Sequence, residues 1–141
     1  MNRIVLVCLV SIAMVGCGDS SGGDGPPSPD ASQGDTWTSI YGGIIDGTCN
    51  SSGCHGNPSL TPAMMSAAEA YTAIVGVAAT GSCSGGGNYV TPGDPDASVL
   101  MQVLDAPNCA NNLQMPIGGQ PLGADQRASI RAWIMSGAPN N

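Results

Sequence analysis

A chain of 141 residues with 3 basic and 10 acidic side chains carries a formal charge of −7, which argues against a nucleic-acid role, since neutralising phosphates needs a basic face. One folded domain is expected at this length, and no stretch reaches the roughly 18 apolar residues of a membrane-spanning helix. The chain has 21 Gly, 11 Pro, no Phe and 6 Cys, and the cysteine positions carry the most information.

Residues 1–16 read as a signal peptide. Met1-Asn2-Arg3 is a short basic start, and Ile4 to Val15 is an almost unbroken apolar run. The run closes on Met14-Val15-Gly16-Cys17, which resembles the lipobox of bacterial lipoproteins, with Met14 where that motif usually has Leu. The resemblance implies lipidation of Cys17 as the mature N-terminus. Gly18 after it implies an outer-membrane address in the cell envelope, facing the periplasm or the cell surface. An ordinary signal peptide ending by chance on a cysteine is the alternative, and Cys8 leaves with the leader in either case. Residues 18–35 contain only Gly, Ser, Asp, Pro, Ala and Gln. They cannot build a core, so 17–35 is expected to be a lipidated, disordered tether. The folded unit is then 36–141.

Helices strung on Gly/Pro-rich loops are expected there. Trp37, Ile40, Tyr41 and Ile44 follow the i, i+3, i+4, i+7 spacing of one helical face, with Asp35 as the cap. Gly42 and Gly43 interrupt that helix, and close approach of another element would explain them. A second helix, Ser66 to Val77, opens on the capping box Ser66-x-x-Glu69 and presents Ala67, Tyr71, Ile74, Val75 and Ala78. Asp94-Pro95 offers a cap and first-turn proline for a third helix bearing Val99, Leu100, Val103 and Leu104. A fourth runs from about Ala124 to Ser136, with Ile130, Trp133 and Ile134 inward and Gly137 as its stop. No run alternates at period two, so the fold class is all-α. Only 27 of residues 36–141 are Val, Ile, Leu, Met, Trp or Tyr. A domain so poor in core usually needs a disulfide, metal or cofactor.

Cys49-Asn50-Ser51-Ser52-Gly53-Cys54-His55 supplies a candidate. Covalent haem attachment needs two thiols for the two vinyl groups of the porphyrin, with an imidazole beside the second thiol to reach the iron. The usual spacing is C-x-x-C-H, whereas this chain has C-x₄-C-H. No second histidine exists, so the opposite axial ligand falls to a methionine. Met115, before Pro116 in a loop ahead of the last helix, is the first choice. Met64 and Met65 come second, and Met101 and Met135 at helix positions are expected to pack. The Nδ1–H of His55 needs an acceptor, expected among the backbone carbonyls near Pro58.

Taken together, this order of helix, C-x₄-C-H, helices, Met-Pro loop and C-terminal helix resembles a class I c-type cytochrome domain. More narrowly it resembles small secreted bacterial cytochrome c-like lipoproteins. The shared segments are Val90-Thr91-Pro92-Gly93-Asp94-Pro95-Asp96-Ala97-Ser98-Val99-Leu100, Met115-Pro116-Ile117-Gly118-Gly119 and Trp133-Ile134-Met135-Ser136-Gly137-Ala138. The resemblance implies a small helical fold whose first and last helices cross, Gly42 or Gly43 lying against Trp133. It implies haem c held by Cys49 and Cys54, with His55 and Met115 on the iron. It further implies an electron carrier rather than an enzyme, with redox proteins as donor and acceptor. Cys83 and Cys109, the remaining pair in an exported chain, are expected to form a disulfide.

Three alternatives stay open from the residues. A haem-free structural or binding lipoprotein would pair Cys49–Cys54 and Cys83–Cys109. A zinc site could draw on the four cysteines and His55. A haem with an open distal site would make a small-ligand sensor or peroxidase. Arg127 and Arg131, one turn apart, are read as a solvated helix face rather than partners of haem propionates. Asp94 and Asp96 are read as capping groups. Gly85-Gly86-Gly87 lacks the strand, helix and Lys of a phosphate loop.

Overall fold

The computed structural model describes residues 35–81, 85–105 and 114–141. The expected leader, all of the tether but Asp35, Cys17, Cys83 and Cys109 lie outside the described residues. Within them the chain forms four helices and no sheet; the only β pairs are isolated bridges.

The first helix, α1 (residues 37–48), is capped by Thr36 rather than Asp35. Thr36 has extended backbone and its Oγ1 accepts from Ser39 N at 3.1 Å. The helix is α-helical over Trp37–Ile40, widens to a π-helical turn over Tyr41–Ile45, and tightens again over Asp46–Thr48. In the wide turn Asp46 N reaches back five residues to Tyr41 O. Trp37, Ile40, Tyr41, Ile44 and Ile45 are buried. Gly42 and Gly43 are exposed, and a Cβ on either would meet nothing within 4 Å. No element approaches them, which corrects the expectation that one of them meets Trp133. Gly42→Ala and Gly43→Ala should therefore each raise stability by about 0.5–1 kcal/mol, through helix propensity and a less flexible unfolded chain. Urea midpoints read this directly, and a lowered midpoint would reveal a neighbour that the structure lacks.

The second helix, α2 (Ala67–Ile74), starts at the expected cap. Ser66 Oγ accepts from Glu69 N at 3.3 Å and donates to the Glu69 carboxylate at 2.9 Å. It stops three residues earlier than expected, because Val75 turns extended and pairs with Val90. Ala78, assigned to the helix face, is exposed and bridges to Asn88 instead. The third helix, α3 (Val99–Asp105), starts later than the Asp94-Pro95 signal suggests. Asp94 Oδ1 accepts from Ala97 N at 3.0 Å, so it caps a turn ahead of the helix. Ser98 links turn to helix: fully buried, its Oγ donates to Asp94 O at 2.8 Å and accepts from Thr91 N at 2.9 Å. The last helix, α4 (Ala124–Met135), runs as expected, with Ile130, Trp133 and Ile134 buried and Gly137 at φ +100° as the stop. At its start Gln126 Oε1 accepts from Gly123 N at 3.0 Å.

An aromatic cluster joins α1, α2 and α4. Trp37 and Trp133 stack with centroids 5.0 Å apart, and Tyr71 meets Trp37 edge-on at 5.6 Å. The first and last helices do meet, but through Trp37 rather than a glycine. Both indoles are satisfied: Trp37 Nε1 donates to Ala67 O at 2.8 Å and Trp133 Nε1 to Pro139 O at 2.9 Å. The tail after α4 closes over the cluster. Tyr71 donates its hydroxyl to Ala138 O at 2.8 Å. Asn141 covers the start of α1, its Oδ1 accepting from Trp37 N at 2.9 Å and its carbonyl from Thr38 N at 3.0 Å.

A seam of charge holds α4 to α3. Arg131 pairs with Asp96 at 2.7 Å and Asp105 at 2.9 Å, and Arg127 with Asp105 at 3.3 Å. Asp96 is thus an ion-pair partner, not a helix cap, and the two arginines are committed rather than merely solvated. The pairs with both carboxylates hold the Arg131 guanidinium above its ordinary pKa.

Candidate functional site

The end of α1 presents the first thiol. Cys49 N still donates to Ile45 O at 2.8 Å, so its backbone completes the last helical turn. The chain then doubles back: Cys54 N donates to Ser51 O at 2.9 Å, His55 N to Cys49 O at 3.1 Å and Gly56 N to Ser51 O at 3.0 Å. The four residues between the cysteines are consumed in this compact turn, which returns His55 to the backbone of Cys49.

Asn50 braces the turn from inside. Its Nδ2 donates to Tyr41 Oη at 3.1 Å and to Asp46 Oδ1 at 2.8 Å, and the Tyr41 hydroxyl donates onward to Met64 O at 3.1 Å. Burial, then the Asp46 charge, push the Tyr41 hydroxyl above its ordinary pKa, so it stays a donor. Gly56 lies so close that an added Cβ would sit 2.7 Å from both Asn50 O and Asn50 Oδ1, and 2.9 Å from Ser51 O.

His55 is clasped by a single segment at both ends. Its Nδ1 lies 2.7 Å from Pro62 O, and its own carbonyl accepts from Met64 N at 2.7 Å. A carbonyl can only accept, so Nδ1 carries a proton, and in the neutral ring Nε2 is the nitrogen that keeps the lone pair. The acceptor is Pro62 rather than a carbonyl near Pro58, because the intervening residues form turns of their own, such as Leu60 N to Asn57 O at 3.0 Å.

The two thiols are free and differ in setting: Cys49 is half-buried and packs against the core, whereas Cys54 is exposed. Burial first, and the Cys54 charge second, push the Cys49 thiol above its ordinary pKa. Among the methionines, Met115 is half-buried against the core, and its N–H donates to Val103 O at 2.8 Å, tying its loop to α3. Met64 is buried and Met65 exposed; Met101 packs in the core as expected, whereas Met135 stands exposed on the surface.

Two spaces adjoin these groups. A small, partly enclosed apolar cavity of about 20 Å³ is walled by Ile40, Ile44, Ile45 and Cys49 on one side and by Leu104, Ile130 and Trp133 on another. An open groove of about 380 Å³ lies between Gly47 and Thr48 on one bank and Pro116, Gly119, Gln120 and Pro121 on the other. Leu122 borders both. Thr48 directly precedes Cys49 and Pro116 directly follows Met115, so each bank of the groove adjoins one of the expected anchors. The groove is within the size range of cofactor pockets. Of the four expected anchors, only Cys49 lines the cavity, and none of Cys49, Cys54, His55 and Met115 lines the groove. Among the described residues no three His, Cys, Asp or Glu side chains form a metal-binding group, and the zinc alternative draws on Cys83 and Cys109, outside them.

The chain matches no protein-family model, no curated protein and no solved structure. The chemistry of the site therefore carries the functional reading.

Several contributors were not singled out in the sequence. Asn50 and Gly56 belong to the motif's own loop, and a glycine directly after the histidine is the one signal that could have pointed to a tight approach. Pro62 and Leu122 carry no such signal, since a backbone carbonyl and a groove wall depend on the tertiary path.

Proposed function

We propose that this protein is a monohaem c-type cytochrome-like electron carrier, held at the cell envelope by lipid on Cys17. The observation that carries the reading is the Pro62 carbonyl on His55 Nδ1, which fixes the tautomer and leaves Nε2 free to face a metal. Cys49 and Cys54 would hold the porphyrin edge through thioether bonds, with His55 and Met115 as axial ligands. When bound, haem supplies an iron that cycles by one electron.

The protein's own residues do the rest. The Asn50–Tyr41–Asp46 network and Gly56 hold the attachment loop in one shape, so His55 need not search for its position. Leu122 is buried where the apolar cavity and the groove meet. Met115, tied to Val103, offers a neutral thioether that raises a potential relative to imidazole. The acidic surface suits partners with basic docking faces.

Intact mass of the protein, produced with a cytochrome maturation system, tests the reading. Covalent haem adds about 616 Da, whereas a Cys49–Cys54 disulfide only removes two hydrogens. A chain without the added mass would refute the proposal. Met115→Ala in the loaded protein should lower the reduction potential and convert the spectrum to that of an iron lacking its sulfur ligand. An unchanged spectrum would remove Met115 from the iron.

A further inference from the structure

Among the described residues, three hydrogen bonds tie segment 61–65 to the rest of the protein. Two of them go to His55, whose Nδ1 meets Pro62 O at 2.7 Å and whose carbonyl accepts from Met64 N at 2.7 Å. The third comes from the buried Tyr41 hydroxyl, which donates to Met64 O at 3.1 Å. Without it the segment would be bonded to His55 alone. Pro62 and Met64 are buried, but apolar packing sets no direction. Tyr41 is the group that fixes the clasp on His55 to a helix.

The widened turn of α1 aims that hydroxyl. In a regular α-helix, residues five apart point about 140° away from each other. The π-helical turn over Tyr41–Ile45 instead brings Tyr41 and Asp46 to one amide, Asn50 Nδ2, which donates to Tyr41 Oη at 3.1 Å and to Asp46 Oδ1 at 2.8 Å. With Asn50 on its lone pair, the hydroxyl directs its proton to Met64 O. Wide turns of this kind recur at functional sites.

We propose that Tyr41 is a positioning residue for the imidazole. Aimed by the wide turn and by Asn50, its hydroxyl holds Met64 in place, so that Pro62 O keeps His55 in one tautomer and one ring orientation. This rests on the haem c reading, which gives the directed Nε2 its use.

The test sets Tyr41→Phe against Tyr71→Phe in the full chain. Tyr71 makes the same kind of bond, from its hydroxyl to Ala138 O at 2.8 Å, so its loss controls for stability alone. His55 is the only histidine, and nitrogen NMR of the reduced, haem-free chain reads its two ring nitrogens at a pH where the ring is neutral. Wild type and Tyr71→Phe should hold the Nδ1–H form as the major species, whereas Tyr41→Phe should lose that majority and exchange between both tautomers. A dominant Nδ1–H form in Tyr41→Phe, an equal loss in Tyr71→Phe, or a wild type without that majority overturns the proposal. If circular dichroism shows that Tyr41→Phe loses its helices without haem, the loaded protein decides. There Tyr41→Phe should raise the reduction potential above those of wild type and Tyr71→Phe, because a weaker bond from Nδ1–H makes the imidazole a poorer donor to iron. Equal potentials overturn the positioning role and leave the cytochrome reading in place. A wild type that gains no haem mass overturns that reading, and the haem role of Tyr41 with it, even where the tautomer result holds.

Discussion

Gly56→Ala should destabilise the protein by about 2–3 kcal/mol, through forced displacement of backbone in a packed loop. The new Cβ would lie 2.7 Å from Asn50 O and 2.9 Å from Ser51 O, and neither is the free end of a flexible side chain. Relief requires the Asn50 and Ser51 carbonyls to move, and Ser51 O accepts two of the hydrogen bonds that bring His55 back toward Cys49, from Cys54 N and Gly56 N. The Asn50 side chain would be levered off Tyr41 and Asp46 at the same time. Gly53→Ala is the matched control, since the same loop leaves open space around it, and it should stay within about 0.5 kcal/mol of the wild type. Urea unfolding of both variants gives the comparison. If the two midpoints coincide, the tight approach at Gly56 is not a feature of the protein in solution. Under maturation conditions Gly56→Ala should also carry less covalent haem than Gly53→Ala, because its histidine no longer has a fixed place.

Trp133→Ala should cost about 3–5 kcal/mol, as large aromatic deletions in a core do. Domains of this size are stable by only about 5–15 kcal/mol, so the variant is expected to be partly unfolded at room temperature. Trp133 is wholly buried, stacks on Trp37 and lies 6.5 Å from Tyr71, so its loss would remove the common partner of α1 and α2 on α4. Trp133→Phe separates packing from hydrogen bonding. It keeps an aromatic ring but leaves Pro139 O without its donor, and should cost about 1–3 kcal/mol. Trp37 fluorescence under urea reports both. A loss below about 1 kcal/mol for the alanine variant would mean that the cluster does not bind the helices together.

The parts of the fold legible in the sequence were those set by local signals. α4 reads off its apolar spacing and the glycine that stops it, and α2 off Ser66 and Glu69. The inward positions Trp37, Ile40, Tyr41 and Ile44 follow from periodicity alone. What escaped depended on distant chain. α2 ends at Ile74 because Val75 finds Val90, fifteen residues on, and nothing in Val75-Gly76-Val77 announces that choice over another helical turn. Asp94 spends its carboxylate on Ala97 N, so a cap-and-proline signature marks a turn before the helix. Arg131 reaches Asp96 and Asp105, 35 and 26 residues away, which helix-face reasoning cannot see. Gly42-Gly43 suggests a close neighbour, yet the two glycines fall within the widened turn and face water.

The candidate site divides in the same way. The residue types of Cys49, Cys54, His55 and Met115 are visible as a pattern, because their chemistry is in the side chains. The support around them is largely backbone: Pro62 O under the imidazole, Val103 O under Met115, and the Asn50–Ser51 peptide against Gly56. Such groups are present at every residue, so only the folded path selects the ones that matter.

Asn141 on the first turn of α1 has a mechanical consequence. Residues 1–34 join the fold at Asp35, so any pull on that segment enters at Thr36 to Thr38, the place where the hydrogen bonds of Asn141 are made. Those bonds lie between the incoming chain and the tail that roofs the tryptophans. A load drawn through the leading segment would therefore peel the tail from α1 before it strained the attachment loop.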